Sequence, residues 1–488
     1  MHDHTKNNNN SERQPLLDTR PVSPITGTGN TTHYGSQQKG QKDTPHKDSW
    51  RDLRPYARPL IAVNCISLFC GLNDGNFGVI LPRLKEYYKV PDETVSILFF
   101  VDALGFFFSA AANGYLVQKL GQRNALSLGA VSVALSYILI GQGFAFNYVA
   151  AFMFMQGASI ALLDAGMNVI ASGMPRAGFM LSIVHSVYGV GGMLSPMLGT
   201  TLLASHSPWN YIYYILSGFA MLILLVIALG VSDTDTDSTD QEHVDDTEGD
   251  SERRLRRSPS STSSKCTSPS TSAASTSTAI DENQLIRKAL FHPITITCAI
   301  YILVYIGAEV SVGGWAYTYL VEGRHGDMIK MGHVVSGYWA GLAVGRIVLG
   351  YLAEKYGVRL MVALFCIITE VCVAVLWAVD VIAVDSAAII CIGFFLGPML
   401  PGVLTLASNA LPKSMHATSI GFMTGVGAGG AALFPFMTGQ ISGHFGIQSF
   451  PATLLCMIAL TFCLWLMVAF KAPSEGEKDL QADEEQAS

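Results

Sequence analysis

Charge is what this sequence has least of. Only 14% of its 488 residues are charged, where a soluble chain carries about 25%. That shortage excludes an ordinary solvated surface over most of the length. The charge present is concentrated at the ends and in one central segment, so the net charge of -7 belongs to tails and points to no nucleic-acid partner. Cysteine offers no crosslinks. Eight of the nine lie in apolar runs and Cys266 lies in the central polar segment, which leaves no disulfide framework. No N-terminal signal peptide is expected, because the first 49 residues are polar. Neither a metal, an organic cofactor nor an enzymatic activity is expected.

What is abundant is apolar helix with glycine, 47 residues of it, the composition of helices that pack closely in a bilayer. Runs long enough to span a membrane fall near 60–82, 95–116, 124–143, 146–174, 178–204, 209–231, 290–320, 332–352, 358–380, 386–411, 416–442 and 447–470. The expected fold class is an all-α membrane protein of twelve transmembrane helices in two six-helix bundles. Its parts are a disordered cytosolic tail (1–49), a first bundle (50–231), a disordered cytosolic linker (232–287), a second bundle (288–471) and a short acidic tail (472–488). Lys and Arg set the orientation. One side holds Arg51, Arg54, Arg58, Lys119, Arg123, the central arginines, Lys355, Arg359 and Lys471, while the loops near Phe146, Ser207 and Gly446 on the other side hold none. Both termini and the linker are therefore expected in the cytosol.

The two halves repeat. Gly114-Tyr-Leu-Val-Gln118-Lys-Leu-Gly121-Gln-Arg123 returns as Gly350-Tyr-Leu-Ala-Glu354-Lys-Tyr-Gly357-Val-Arg359, offset by 236 residues. Asn168 with Pro175 is echoed by Asn409 with Pro412, and Gly191-Gly192 with Pro196 by Gly429-Gly430 with Pro435. Three echoes in the same order indicate a parallel internal repeat. The loop pattern resembles the signature of the major facilitator superfamily after its second and eighth helices. Its first copy has Gln118 where that family carries an acid. Leu72-Asn73-Asp74, Leu163-Asp164-Ala-Gly-Met-Asn168, Tyr305-Ile-Gly-Ala-Glu309 with Trp315, and Gly345-Arg346 resemble the fucose permease branch, which includes sodium-dependent glucose carriers and fungal relatives. The resemblance covers residues 60 to 470.

Carboxylates at membrane depth are expensive and normally face a polar path. Asp74 with Asn73 in the first helix reads as a substrate or proton site; the bland alternative is a helix-end carboxylate. Asp164, in the middle of the fourth helix with Asn168 one turn on, reads as the proton-coupling group; its alternative is a structural hydrogen-bonding pair. Glu309 in the seventh helix is the second coupling candidate, and Gly313-Gly314 just beyond it suggest a bend or unwinding. His185, Trp315 and Asn409 complete the candidate substrate set, each with a packing role as its alternative. The resemblance implies an acid in the cavity at the position of Asp74 and a proton-coupling acid at that of Asp164. Gly114, Gly121, Arg123, Gly350, Glu354, Gly357 and Arg359 form the gating motif, and Arg346 reads as a structural cap beside it. No Lys or Arg lies deep in the first, fourth, seventh or tenth helix, which favours a neutral hydroxylated or cationic solute over a phosphate or dicarboxylate.

The expected activity is secondary active transport of a small neutral polyhydroxy solute, a sugar being the simplest, coupled to H+. Rivals are sodium coupling, drug/proton antiport and a non-transporting receptor. The expected partners are the solute and the bilayer, with the protein acting as a monomer. Glu12-Arg-Gln-Pro-Leu16-Leu17 fits an acidic dileucine signal for a sorting adaptor, consistent with a vacuolar, endomembrane or plasma-membrane location. Ser258 or Ser260, beside Arg256 and Arg257, could take a phosphate from a kinase.

Overall fold

The computed structural model describes residues 55–175, 177–205, 207–232, 287–412 and 415–471. The dileucine motif, Ser258, Ser260 and most of the linker lie outside the described residues. Among the described residues there are thirteen α-helices: α1 (Ala57–Tyr88), α2 (Asp92–Leu120), α3 (Gln122–Gly141), α4 (Phe146–Ser172), α5 (Ala177–Ala204), α6 (Tyr211–Gly230), α7 (Pro293–Thr318), α8 (Met328–Tyr356), α9 (Val358–Ala378), α10 (Ile382–Leu396), α11 (Met399–Ala410), α12 (His416–Phe445) and α13 (Phe450–Lys471). A bilayer offers backbone groups no water, so each span must satisfy its own hydrogen bonds as helix. Eleven spans among the described residues are long and apolar enough to cross a membrane, α10 and α11 counting together as Ile382–Ala410. The twelfth is α1, 32 residues long, whose apolar character is diluted by Asn64, Asn73, Asp74 and Asn76.

Two expectations about helix continuity fail. The tenth span, read as one run over 386–411, is broken at Gly397-Pro398, since proline cannot donate to the preceding turn. The seventh helix runs straight through Gly313-Gly314 and loosens only afterwards, into a π-turn at Tyr319–Gly323. Those glycines serve close packing: a Cβ on Gly78 of α1 would stand 2.1 Å from the Gly313 carbonyl oxygen.

The repeat is built into the packing. In the first half Gly105 lies against the Phe154 carbonyl and Gly157 against the Asp102 carbonyl, a Cβ being only 2.0 and 1.9 Å away. In the second half Gly341 meets Ile390 and Gly393 meets Tyr338 in the same way, at 2.8 and 2.3 Å. Each of these four residues stands 236 positions after its counterpart. Gly191 against Leu68 and Gly430 against Leu303 repeat the α1–α5 contact as an α7–α12 contact, at 2.2 and 1.9 Å. Gly121 and Gly357, with φ of 83° and 98°, turn the chain into α3 and α9 at matching places; a side chain would strain either turn.

The halves meet along α1–α7, α2–α12 and α5–α8. These contacts close one end of the cleft. Lys85 Nζ stands 2.5 Å from Asp92 and 2.7 Å from Glu322 of the other half. Gln440 donates to the Glu93 carbonyl at 2.8 Å, and Ser442 to Asp92 at 2.8 Å. Towards the other end, around Gly114, Gly350, Gly421 and Gly425, a Cβ would meet nothing within 4 Å. The side-chain bridges between the halves thus lie at the Lys85 end, and the cleft opens towards Gly121 and Gly357. Overpacking a tight crossing costs about 1–3 kcal/mol. Gly157→Val should thus lower the melting temperature of the purified protein, whereas Gly350→Ala should move it little. Equal melting of Gly157→Val and the parent would contradict the close α2–α4 crossing.

Candidate functional site

The α1–α7 crossing forms the roof of the open cleft. Asp74 lies one turn from Gly78, and Glu309 one turn from Gly313, both on the open side. Asp74 is exposed while Leu72, Asn73, Gly75 and Asn76 around it are buried. A mid-helix side chain in that state faces the cleft. Asn73 Nδ2 donates to Asp74 Oδ1 at 2.8 Å, and the Tyr188 hydroxyl donates to Oδ2. Asn73 Oδ1 in turn accepts from the Tyr137 hydroxyl at 2.5 Å and from Gln156 Nε2 at 3.0 Å. Four helices, α1, α3, α4 and α5, are thus tied to one carboxylate through neutral donors.

Glu309 is held differently. Arg346 Nη2 stands 3.0 Å from Oε1, and the Tyr305 hydroxyl donates to Oε2. The Tyr338 hydroxyl donates to the Glu309 backbone oxygen at 2.8 Å. Removing one partner of a buried ion pair costs about 3–5 kcal/mol, so this pair fixes α7 against α8. Arg346 is therefore not part of the loop motif. It sits ten residues before the end of α8, about 15 Å along the axis, where it brings a cation into the second half's share of the roof.

Asp164 lies two turns beyond Gln156 on α4, about 12 Å nearer the open end. It is half-buried, and Asn168 Nδ2 stands 3.4 Å from its Oδ2. Among the described residues neither Asp74 nor Asp164 has a cationic partner. His185 is exposed to the cleft one turn from Tyr188, and close enough to Arg346 to feel its charge.

Two candidate residues sit elsewhere. Trp315 is wholly buried, donating Nε1 to the Pro435 carbonyl at 3.0 Å, with its ring 6.0 Å from Phe99 of the first half. It belongs to the seal on the closed side, not to the open cleft wall. Asn409 is exposed in the last turn of α11. The Tyr305 hydroxyl reaches the Leu396 carbonyl at 3.1 Å, and Asn409 lies a whole short helix beyond that level, nearer the open end. Of the motif residues, Arg123 donates to the Ala228 carbonyl at 2.8 Å, the Arg359 carbonyl accepts from Trp465 at 3.0 Å, and Glu354 is exposed. Tyr137 and Gln156 were not singled out from the sequence. Gln156, polar within the apolar α4, was the available signal.

A family model described as the Major Facilitator Superfamily matches residues 63–435, with a second match over 297–488. Bypass of stop codon protein 6 from Saccharomyces cerevisiae is 26% identical over 429 residues, 84% of this chain and 82% of that protein. The crystal structure of a bacterial homolog of the human lysosomal transporter Spinster, inward-facing and occupied, is similar with a TM-score of 0.68 at 12% identity, covering 86% of this chain and 99% of that one. A crystal structure of the D-xylose-proton symporter is similar with a TM-score of 0.64 at 14% identity, covering 86% and 98%. At such identities the structures speak for the fold. The matched span, the repeated packing and the polar cleft agree that the chain belongs to the Major Facilitator Superfamily, as a secondary transporter and not an enzyme.

Proposed function

We propose that this transporter, of the fucose permease-like branch, carries a small neutral hydroxylated solute, most simply a sugar, and couples its movement to protons. The observation that supports this most is a pair of carboxylates, at two depths of one cleft, that have no cationic partner among the described residues. Asp74 lies at the roof beside neutral donors and acceptors suited to hydroxyl groups. Asp164 lies nearer the open end, with the Asn168 amide beside it. A carboxylate that no cation holds in its charged form can gain and lose a proton as its exposure alternates. Glu309 is balanced by Arg346 and assists by keeping the second half of the roof near neutrality. That pairing also occupies Arg346, so an anionic solute seeking this cation would have to displace Glu309.

Asp74, Asn73, Asn168 and His185 form the solute set in the open form. Trp315 joins when the seal beside Phe99 parts, and Asn409 lies near the mouth. With the Gly121 and Gly357 loops in the cytosol, as the Lys and Arg distribution requires, this form opens inwards. The similar structure named D-xylose-proton symporter pairs a sugar with a proton, in keeping with this reading. Residence in the vacuole or another endomembrane rests on the dileucine motif alone.

Asp164→Asn should abolish concentrative uptake while leaving counterflow exchange measurable. If that variant still accumulates solute against a gradient, the coupling role is wrong. A thermal-shift screen of sugars, polyols and amines at two pH values, with and without sodium, identifies the solute class. Stabilisation by amines alone would contradict a sugar.

A further inference from the structure

Around Lys85 the halves line a cavity that takes no part in the cleft. Its volume is about 610 Å³, within the range of small-molecule sites. It lies at the end of the molecule away from Gly121 and Gly357. The last turns of α1 and the two residues after them supply one wall, and the π-turn after α7 with the start of α8 supplies the other. The π-turn at Tyr319–Gly323, a distortion often found at functional sites, brings both Val321 and Glu322 to the cavity.

The lining is partly apolar and partly charged. Pro82, Val90, Val321 and Met328 give the apolar part. Arg83, Lys85, Glu86, Lys89 and Glu322 give the charged part. Lys85 is fully engaged, 2.5 Å from Asp92 and 2.7 Å from Glu322. Arg83 is engaged in part. Its Nη1 stands 2.7 Å from Glu86, and its Nη2 stands 3.4 Å from the Met328 sulfur, a weak acceptor. Its Nε–H is buried and has no acceptor. A buried donor left unpaired is costly, and native structures seldom leave one so. Lys89 is exposed and has no acidic partner among the described residues. Two cations with unused donors thus share a cavity with four apolar side chains. Glu86 and Glu322 set the limit on charge, since they repel a second negative group.

We infer that this cavity binds a small amphiphilic monocarboxylate, its carboxylate at Arg83 and Lys89 and its hydrocarbon part on Val321 and Met328, and that the bound molecule holds the halves together at this end. Arg83 and Lys89 belong to the first half, and Val321, Glu322 and Met328 to the second. A ligand that touches both walls binds while they are together, so it favours the form described over the form that opens here. Its effect is a brake on transport, exerted away from Asp74 and Asp164. The inference needs neither the solute nor the coupling ion to be as proposed.

The test uses sodium benzoate as the probe on the purified full-length protein. The comparisons are benzyl alcohol, and sodium phosphate and sodium chloride at matched ionic strength. A molecule bound by the native state and not by the unfolded chain stabilises by mass action. Benzoate should therefore raise the melting temperature by a few degrees, and the three comparisons should not. Spin labels introduced as cysteines at Gln118 and Glu354, at the open end, should shift with benzoate towards their longer separation. Lys89→Asn removes the unpaired cation, and asparagine tolerates the left-handed backbone there, φ 51°. Arg83→Gln removes the second cation. Each variant should need about tenfold more benzoate for the same rise, the loss expected for one hydrogen bond to a charged group. Lys89 bridges nothing between the halves, which keeps the test available if Arg83→Gln folds poorly. The inference is overturned if benzoate leaves the parent's melting unchanged, if benzyl alcohol or phosphate raises it as much, or if both variants answer benzoate as the parent does. A rise in melting with unchanged label distances would overturn the brake.

Discussion

The crossing of α1 and α7 at Gly78 and Gly313 is the constraint on which the rest of the structure depends. With a Cβ only 2.1 Å from the opposing carbonyl, no other residue fits there without parting the helices. The contact therefore sets the height of the roof. Asp74 and Glu309, each one turn away, are brought by it to the same level of the cleft. Tyr188 and Arg346 reach that level from α5 and α8, which meet where Gly189 would place a Cβ 2.6 Å from Ala343 Cβ. Glycine contacts of this kind can separate and reform without stranding polar groups, which suits surfaces that must part during transport.

The two halves share packing but differ in charge. The first half gives the cleft Asp74 and Asp164, with amides and a hydroxyl beside them. The second gives a single carboxylate, Glu309, neutralised by Arg346 at 3.0 Å. At the closed end Lys85 bridges Asp92 and Glu322. Opening there would break the link to Glu322, whose side chain is already 35% exposed, yet leave Lys85 paired with Asp92 of its own half. Under the proposed coupling, charge changes fall in the first half and the second supplies a fixed frame.

Much of this was legible in the sequence, for physical reasons. The hydropathy runs report spans because a bilayer admits only helices of that length. The glycine and arginine echo at 236 residues reports the repeat because the same tight turns recur at the same helix ends. Acids in the first, fourth and seventh helices stood out because each is costly in an apolar run. Partnerships were not legible. Arg346 read as a cap because it precedes the motif loop, yet α8 turns it onto Glu309. Trp315 read as a solute platform from its aromatic company, yet its indole nitrogen is used by Pro435 in the seal. Gly313-Gly314 read as a hinge because glycine permits both bending and close approach, and only the neighbouring helix decides between them.

Alternating access is the central claim, and the ends of α2 and α8 report it most directly. Gln118 and Glu354 are exposed at matching places on the open side. Spin labels introduced there as cysteines, in a chain otherwise freed of reactive cysteine, give their separation by pulsed electron paramagnetic resonance. Two populations are predicted, a long distance for the form described and a shorter one for the form closed on this side, with their ratio moving with pH. A single distance unchanged from pH 5 to 8, and in Asp164→Asn, would contradict the account.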